Sequence, residues 1–417
     1  MEKILRCLFH ACVLSMVCMS CGESKYGGED EPEFYYDLGA EEKANCYIVQ
    51  NPGRYIFEAD NQINLGEGLP VPPEISPAGA RLLWQTSKDL ISDVNLIYIQ
   101  EKPYVSFDVK EPVGNALIAV YDSNGVIEWS WHIWMPACEV TSVTSDTGYE
   151  VMNLNLGAIN NTPGDPDSYG FLYQWGRKDP FPASATLTGN TTTVGAPLYD
   201  INGESVAVSN SEWTSVENNT LSYSISHPTV CLSNYSQFAV SRDWLRASES
   251  DNTLWGNPNG DYKDADNTYV NKGRKTCYDP SPAGWRVAPA DVFANFTSSG
   301  GYAWEFSDFN VADINKDGIV DLNDYNYGWH FMVNADIPLY FPAAARFDGS
   351  YAMLMGSMSG LWGTYWSNSP SSNMNGGALS TLAFQVKGLN GEDITTVSPV
   401  AAGSKADAYS IRCIRDN

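Results

Sequence analysis

Residues Gly114-Asn115-Ala116-Leu117-Ile118-Ala119-Val120-Tyr121, then Asp122-Ser123-Asn124-Gly125, then Val126-Ile127-Glu128-Trp129-Ser130-Trp131-His132-Ile133-Trp134, read as a β-hairpin. In the second arm Ile127, Trp129, Trp131 and Ile133 point one way and Glu128, Ser130 and His132 the other. That two-residue period is what a strand with one buried face requires. The Asn124-Gly125 pair supplies residues that accept positive φ at the turn. The alternation makes Trp129 and Trp131 core material rather than a platform for sugar rings. It also places His132 on the polar face, where it reads as a surface histidine and not a metal ligand.

Working outward, Cys46 to Val49, Tyr55 to Glu58, Arg81 to Gln85, Val94 to Ile99 and Val105 to Val109 read as further strands, separated by turns bearing proline or glycine. Seven short strands within residues 43–137 predict a β-sandwich. The whole chain of 417 residues is long enough for two or three domains at roughly 150 residues each. Its 12% aromatic and 18% charged content, with 35 Gly and 23 Pro, predicts a folded, turn-rich β protein with short strands and long ordered loops, and the expected fold class is mainly β with some α (α+β). With 50 acidic against 24 basic side chains the net charge is −26, which repels a phosphate backbone and excludes nucleic acid as a partner.

Lys3 and Arg6 precede an apolar run, Cys7 to Met19, that is too short to span a membrane and reads as a secretory signal over residues 1–20. Ser20-Cys21 resembles a bacterial lipobox, which makes Cys21 the expected lipidation site; Cys18, three residues before it, departs from the usual aliphatic residue, so plain cleavage to a soluble protein is the alternative. Residues 21–42 contain Glu23, Glu29, Asp30, Glu31, Glu33, Asp37, Glu41 and Glu42 and read as an acidic, flexible tether. An acidic stretch just after a lipidated cysteine resembles the signal that sends Bacteroidota lipoproteins to the outer face of the outer membrane. The expected location is therefore the cell surface, with the lipid as the membrane anchor. Beyond the leader and Cys21 stand Cys46, Cys138, Cys231, Cys277 and Cys413, an odd number without the C-x-x-C spacing of a zinc ribbon or a thioredoxin site.

Residues 138–417 carry a series of distinctive blocks. These are Val151 to Ala158, Asn161 to Asp165, Ser168 to Phe181, Ser226 to Thr229, Asp251 to Trp255, Tyr278-Asp279-Pro280-Ser281-Pro282-Ala283-Gly284-Trp285-Arg286-Val287, Thr364 to Ser367, and Tyr409-Ser410-Ile411-Arg412-Cys413-Ile414-Arg415. Their order and wording resemble the Fibrobacter succinogenes major paralogous domain of Bacteroidota surface lipoproteins. Such proteins pair that domain with an N-terminal fimbrillin-like β-domain bearing blocks like Ala44 to Val49 and Trp129 to Trp134. The resemblance spans nearly the whole mature chain. It implies a C-type-lectin-like, formylglycine-generating-enzyme-like fold, in which the Gly-Trp-Arg turn and the final Arg-Cys strand share one small irregular sheet. A cysteine common to the family between the two prolines is Ser281 here, with Cys277 four residues upstream, so the family's disulfide is in question and Cys277 with Cys413 is the candidate pair. From the residues themselves, Trp285 reads as a core plug, and Tyr409, Ile411 and Cys413 as the buried face of a terminal strand. Arg286, Arg412 and Arg415 are candidates for carboxylate pairs.

Within an insertion near residues 305–330, Asp313, Asn315, Asp317, Asp321 and Asp324 place oxygen-bearing side chains at positions 1, 3, 5, 9 and 12 of a loop, with Gly318 at position 6. Ile319 would offer its carbonyl. This is the spacing of a calcium loop, and it resembles a dockerin loop in using Asp at position 12. Calcium is thus the expected cofactor, in a structural role, against the alternative of a plain acidic turn. No second such loop exists, which disfavours cohesin docking.

Catalysis has little support: only His132, His227 and His330 follow the leader, there is no nucleophile elbow, zinc helix or phosphate loop, and the enzymatic relatives use paired reactive cysteines not matched here. A carbohydrate-active hydrolase built on two of the many carboxylates is the remote enzymatic alternative. The expected function is non-catalytic adhesion or capture of an extracellular glycan or protein, with Trp213, Trp244, Trp255, Trp304, Trp329 and Trp362 as contact candidates. The competing expectation is a fimbrial accessory or tip subunit, joined to other fimbrial subunits by strand addition.

Overall fold

In the computed structural model, which describes residues 22–26, 33–63, 65–187, 195–210, 218–233, 243–257, 273–349, 353–370, 379–388 and 391–416, the chain is 40% strand and 9% helix and so mainly β. Among the described residues no helix is long and apolar enough to cross a membrane. The hairpin forms as its period demands: Gly114–Tyr121 runs antiparallel to Ile127–Met135, with Ile118 opposite Trp131 and a register shift at Tyr121 beside the turn. At the turn only Gly125 adopts positive φ, 82°. The expected role of Asn124 passes instead to Asp122, whose carboxylate accepts the N–H groups of Asn124 and Val126 at 2.9 and 2.8 Å.

Two sheets face each other around this hairpin. One runs Gly22–Tyr26, Glu33–Asp37, Gly53–Glu58, Lys102–Val109, Ile91–Ile99; the other runs Ser205–Val206, Leu198–Tyr199, Gly79–Gln85, Gly114–Tyr121, Ile127–Met135, Cys46–Ile48. Phe57 of the first meets Trp131 of the second with ring centroids 5.0 Å apart, and both tryptophans of the inward face, Trp129 and Trp131, are fully buried. The strands expected in residues 43–137 are all present.

Part of the expected tether is ordered pairing. Gly22–Tyr26 is antiparallel to Glu33–Asp37, which joins Gly53–Glu58 in parallel, with Tyr36 against Tyr55 at 5.3 Å. The aromatic run Phe34-Tyr35-Tyr36 has the β-propensity that outweighs the surrounding carboxylates. Residues 1–21, Cys21 included, and 27–32 lie outside the described residues.

The outward face of Ile127–Met135 is also buried, which corrects the placement of His132 on the surface. Residues of the second region cover it. Ser130 Oγ donates to Asp179 Oδ1 at 2.7 Å, Lys178 Nζ reaches Ser130 O at 3.1 Å, and Phe171 stacks on Trp84 at 5.2 Å. One hydrophobic core therefore runs from Cys46 and Trp131 through Trp175, Trp244 and Trp255 to Trp285 and Cys413. The described residues of 43–137 and of 138–416 thus share this core.

In the second region Trp285–Val287 pairs with Cys413–Arg415, Trp285 opposite Arg415, in a small sheet with Glu150–Met152 and Ser142–Thr144. Gly284 enters it at φ 71° and Trp285 is buried as a plug. A larger sheet runs Phe181–Pro182, Phe171–Gln174, Ala408–Ile411, Trp362–Pro370, Leu379–Lys387, Asp393–Gly403. Here the expected one-sided terminal strand is corrected: Ser410 and Arg412 are as buried as Tyr409 and Ile411. Arg286 and Arg415 face Asp416 and Glu150 at 3.1 and 3.9 Å, whereas Arg412 donates to Tyr340 O, Met152 O and Asn155 Oδ1. A buried guanidinium satisfied by carbonyls replaces the carboxylate pair expected for it.

Candidate functional site

The tryptophans divide sharply. Trp244, Trp255 and Trp329, expected as ligand contacts, are fully buried, and the indole N–H groups of Trp244 and Trp255 donate to Trp175 O and Tyr278 O. Trp362 is half-buried, its N–H donating to Lys387 O at 2.6 Å. Trp213 lies outside the described residues. Trp304 is different: 66% of its surface is exposed, and Tyr302, at 52%, packs edge to face against it with centroids 4.7 Å apart.

The backbone explains why these two rings stand together. Ala303 pairs with Val397 of the Asp393–Gly403 edge strand through two bonds, Ala303 N–H to Val397 O at 2.8 Å and Val397 N–H to Ala303 O at 2.9 Å. Ala303 is buried; with a period of two, its neighbours on either side project outward together. The approach is held by Thr297 Oγ1, which donates to Gly301 O at 2.8 Å. The result is a rigidly mounted pair of exposed rings, the geometry that a pyranose face or an apolar side chain can stack on.

Downstream of the pair, Val311 bridges to Phe331 and the chain turns out into the Asp313 to Asp324 loop. The loop folds around its own carboxylates. Asp313 accepts the N–H groups of Lys316 and Gly318 at 2.7 and 2.8 Å, and Asn315 and Asp317 accept those of Asp317 and Ile319. Buried Asp324 accepts from Ile314, Asn315 and Asp321. Asp321 caps the short Leu322–Asp324 turn. Gly318 takes φ 87°, the bend expected of position 6. Among the described residues no three His, Cys, Asp or Glu side chains are gathered as a metal-holding group. The donor set of Asp313, Asn315, Asp317, Asp321 and Asp324, with the Ile319 carbonyl, consists wholly of hard oxygens, the chemistry calcium takes.

The five described cysteines are free thiols. The expected partners Cys277 and Cys413 are engaged elsewhere: Cys277 Sγ donates to Pro70 O at 3.4 Å and Cys413 Sγ to Ser281 Oγ at 3.2 Å. Sequence reading gives no hint of a third arrangement, Cys46, His132 and Asn115. Asn115 Nδ2 donates to Gly157 O, which leaves Oδ1 to accept from His132 Nε2 at 2.8 Å; His132 Nδ1 then faces Tyr173 Oη at 3.3 Å and Cys46 Sγ at 3.7 Å. The order mimics a nucleophile, base and orienting amide. Burial pushes the thiol well up and the imidazole down to about 3, so both stay neutral and sealed from any substrate. The cluster is part of the buried core.

No protein family, no curated protein and no solved structure matches this chain.

Proposed function

We propose that the protein is a cell-surface lipoprotein of the outer membrane, anchored through Cys21, that captures an extracellular glycan or protein without catalysing a reaction. The observation that carries this reading is the Tyr302 and Trp304 pair, two exposed rings in contact, whereas the other described tryptophans are buried or half-buried. Calcium bound by Asp313, Asn315, Asp317, Asp321, Asp324 and the Ile319 carbonyl would stiffen the insertion that follows the pair. The test is a glycan array and a whole-cell binding screen of the chain from Gly22 onward, with and without calcium, using wild type and Trp304→Ala. Capture by wild type that falls about tenfold in the variant, roughly 1.4 kcal/mol, supports the reading; no capture, or equal capture by both, removes it.

The edges of the sandwich bear on the fimbrial alternative. The Cys46–Ile48 edge is closed by a bridge from Cys46 to Pro282, and the Gly53–Glu58 strand is already flanked by Glu33–Asp37. Among the described strands, Gly22–Tyr26, Ser205–Val206 and Ile91–Ile99 end their sheets, and Ile91–Ile99 is the longest of the three, with Tyr98 exposed on it. Assembly with fimbrial subunits would use that edge, opposite the N-terminal strands.

A further inference from the structure

Lys405 lies between the Asp393–Gly403 and Ala408–Ile411 strands and is 1% exposed. Its Nζ donates to Asn252 Oδ1 at 2.7 Å and to Asp243 Oδ2 at 3.1 Å, with Asp251 O at 3.5 Å. The amine sits 4.8 Å from the centre of the Trp175 ring, whose backbone carbonyl is held by Trp244 Nε1 at 2.7 Å. Asp243 is fully buried and fixed by Leu245 N–H and Ser250 Oγ. Asn252, by contrast, reaches solvent.

We propose that Lys405 and Asn252 become joined by a side-chain amide that the folded protein forms itself, with Asp243 as the proton carrier. The parts needed are present. A primary amine walled off from water is held against a carboxamide, so the attack is intramolecular and carries a large proximity advantage. A lysine amine is a nucleophile once it has given up its proton, and the Asp243 carboxylate touches it. In the step, Nζ transfers a proton to Asp243 and attacks Cγ of Asn252. The new N–C bond forms, Nζ passes its second proton to Nδ2, the Cγ–Nδ2 bond breaks, and Asp243 hands its proton to the departing ammonia. The Lys405 ammonium and the Asn252 carboxamide thus become one secondary amide and one ammonium ion, with nothing oxidised or reduced. Exposure of Asn252 gives that ion a way out. The product ties the loop around residues 243–257 to the C-terminal strands, a covalent brace that suits a protein pulled from outside the cell. It stands whether or not Trp304 contacts a ligand.

Intact-mass spectrometry on the chain from Gly22 onward, purified folded and held at neutral pH, tests this. The expected mass is below the sequence mass by one ammonia, about 17 Da, and proteolysis yields a branched peptide containing both Lys405 and Asn252. Asn252→Ala, with its fold checked by circular dichroism, restores the full mass, as does Lys405→Arg. A wild-type mass equal to the sequence mass overturns the proposal and leaves a buried ion pair. So does a loss that persists in Asn252→Ala, or one without the branched peptide.

Discussion

His132 is sealed against Asn115 and Tyr173, and burial alone lowers its pKa from 6.5 to about 3. Its folded pKa is depressed, so the unfolded chain takes up the proton first. The stability it contributes is complete above about pH 6.5 and is lost as pH falls from there towards 3, at about 1.4 kcal/mol per pH unit. Buried Asp407 and Asp37, whose carboxyls are raised by burial, act in the opposite sense and blunt the total. Urea unfolding of wild type and His132→Gln at pH 7, 6, 5 and 4 isolates the histidine: the gap between the two closes by about that slope, whereas parallel curves would mean His132 titrates normally. A second residue-scale prediction concerns Ser281, which meets Cys413 Sγ at 3.2 Å with both side chains fully buried. Ser281→Cys brings two sulfurs near the ~2.0 Å bonding distance. Under oxidising conditions the variant is expected to titrate one thiol fewer than wild type, because its added thiol and Cys413 are joined, and to gain about 2–4 kcal/mol; one thiol more than wild type refutes it. The oddity at Ser281 was legible in the sequence as a break in a motif. The fate of His132 was not, because the polarity of one residue says nothing about which distant layer will cover it.

Among elements, the hairpin shows how far period and turn chemistry reach. Alternation placed both arms correctly, and the single demand for positive φ falls on Gly125, beside which an added Cβ meets nothing within 4 Å. Gly125→Ala should therefore cost about 1 kcal/mol in chemical unfolding, purely from the backbone. Gly170→Ala, whose Cβ would lie 2.5 Å from Leu156 O, should cost clearly more; equal costs would show the turn to be strained otherwise. Within Asp313 to Asp324 the bend at Gly318 was legible in the sequence. Calorimetric titration should show calcium heat in wild type that vanishes in Asp313→Ala, and equal, negligible heat in both would leave an acidic turn. What composition concealed was the Gly22–Tyr26 and Glu33–Asp37 pairing, because carboxylates read as solvated chain while three aromatics beside them supply the strand.

At the scale of the whole molecule, the sandwich and part of the second region share one core that holds Trp244 and Trp255, while Trp329 is buried in a second cluster, which removes all three as candidates for ligand contact. A tryptophan in an irregular stretch gives the same sequence signal whether it plugs a joint between layers, as Trp244 and Trp255 do, or stands free like Trp304. Only the pairing of Ala303 with an edge strand separates the two cases. The proposed lipid anchor makes its own prediction: radiolabelled palmitate should enter the wild-type chain and not Cys21→Ser, and labelling of neither would remove the anchor. The most direct measurement is isothermal titration of the array-positive ligand into wild type, Tyr302→Ala and Trp304→Ala. Capture through the exposed ring pair predicts affinities about tenfold weaker in each variant with unchanged thermal stability. Equal affinity in all three would contradict it.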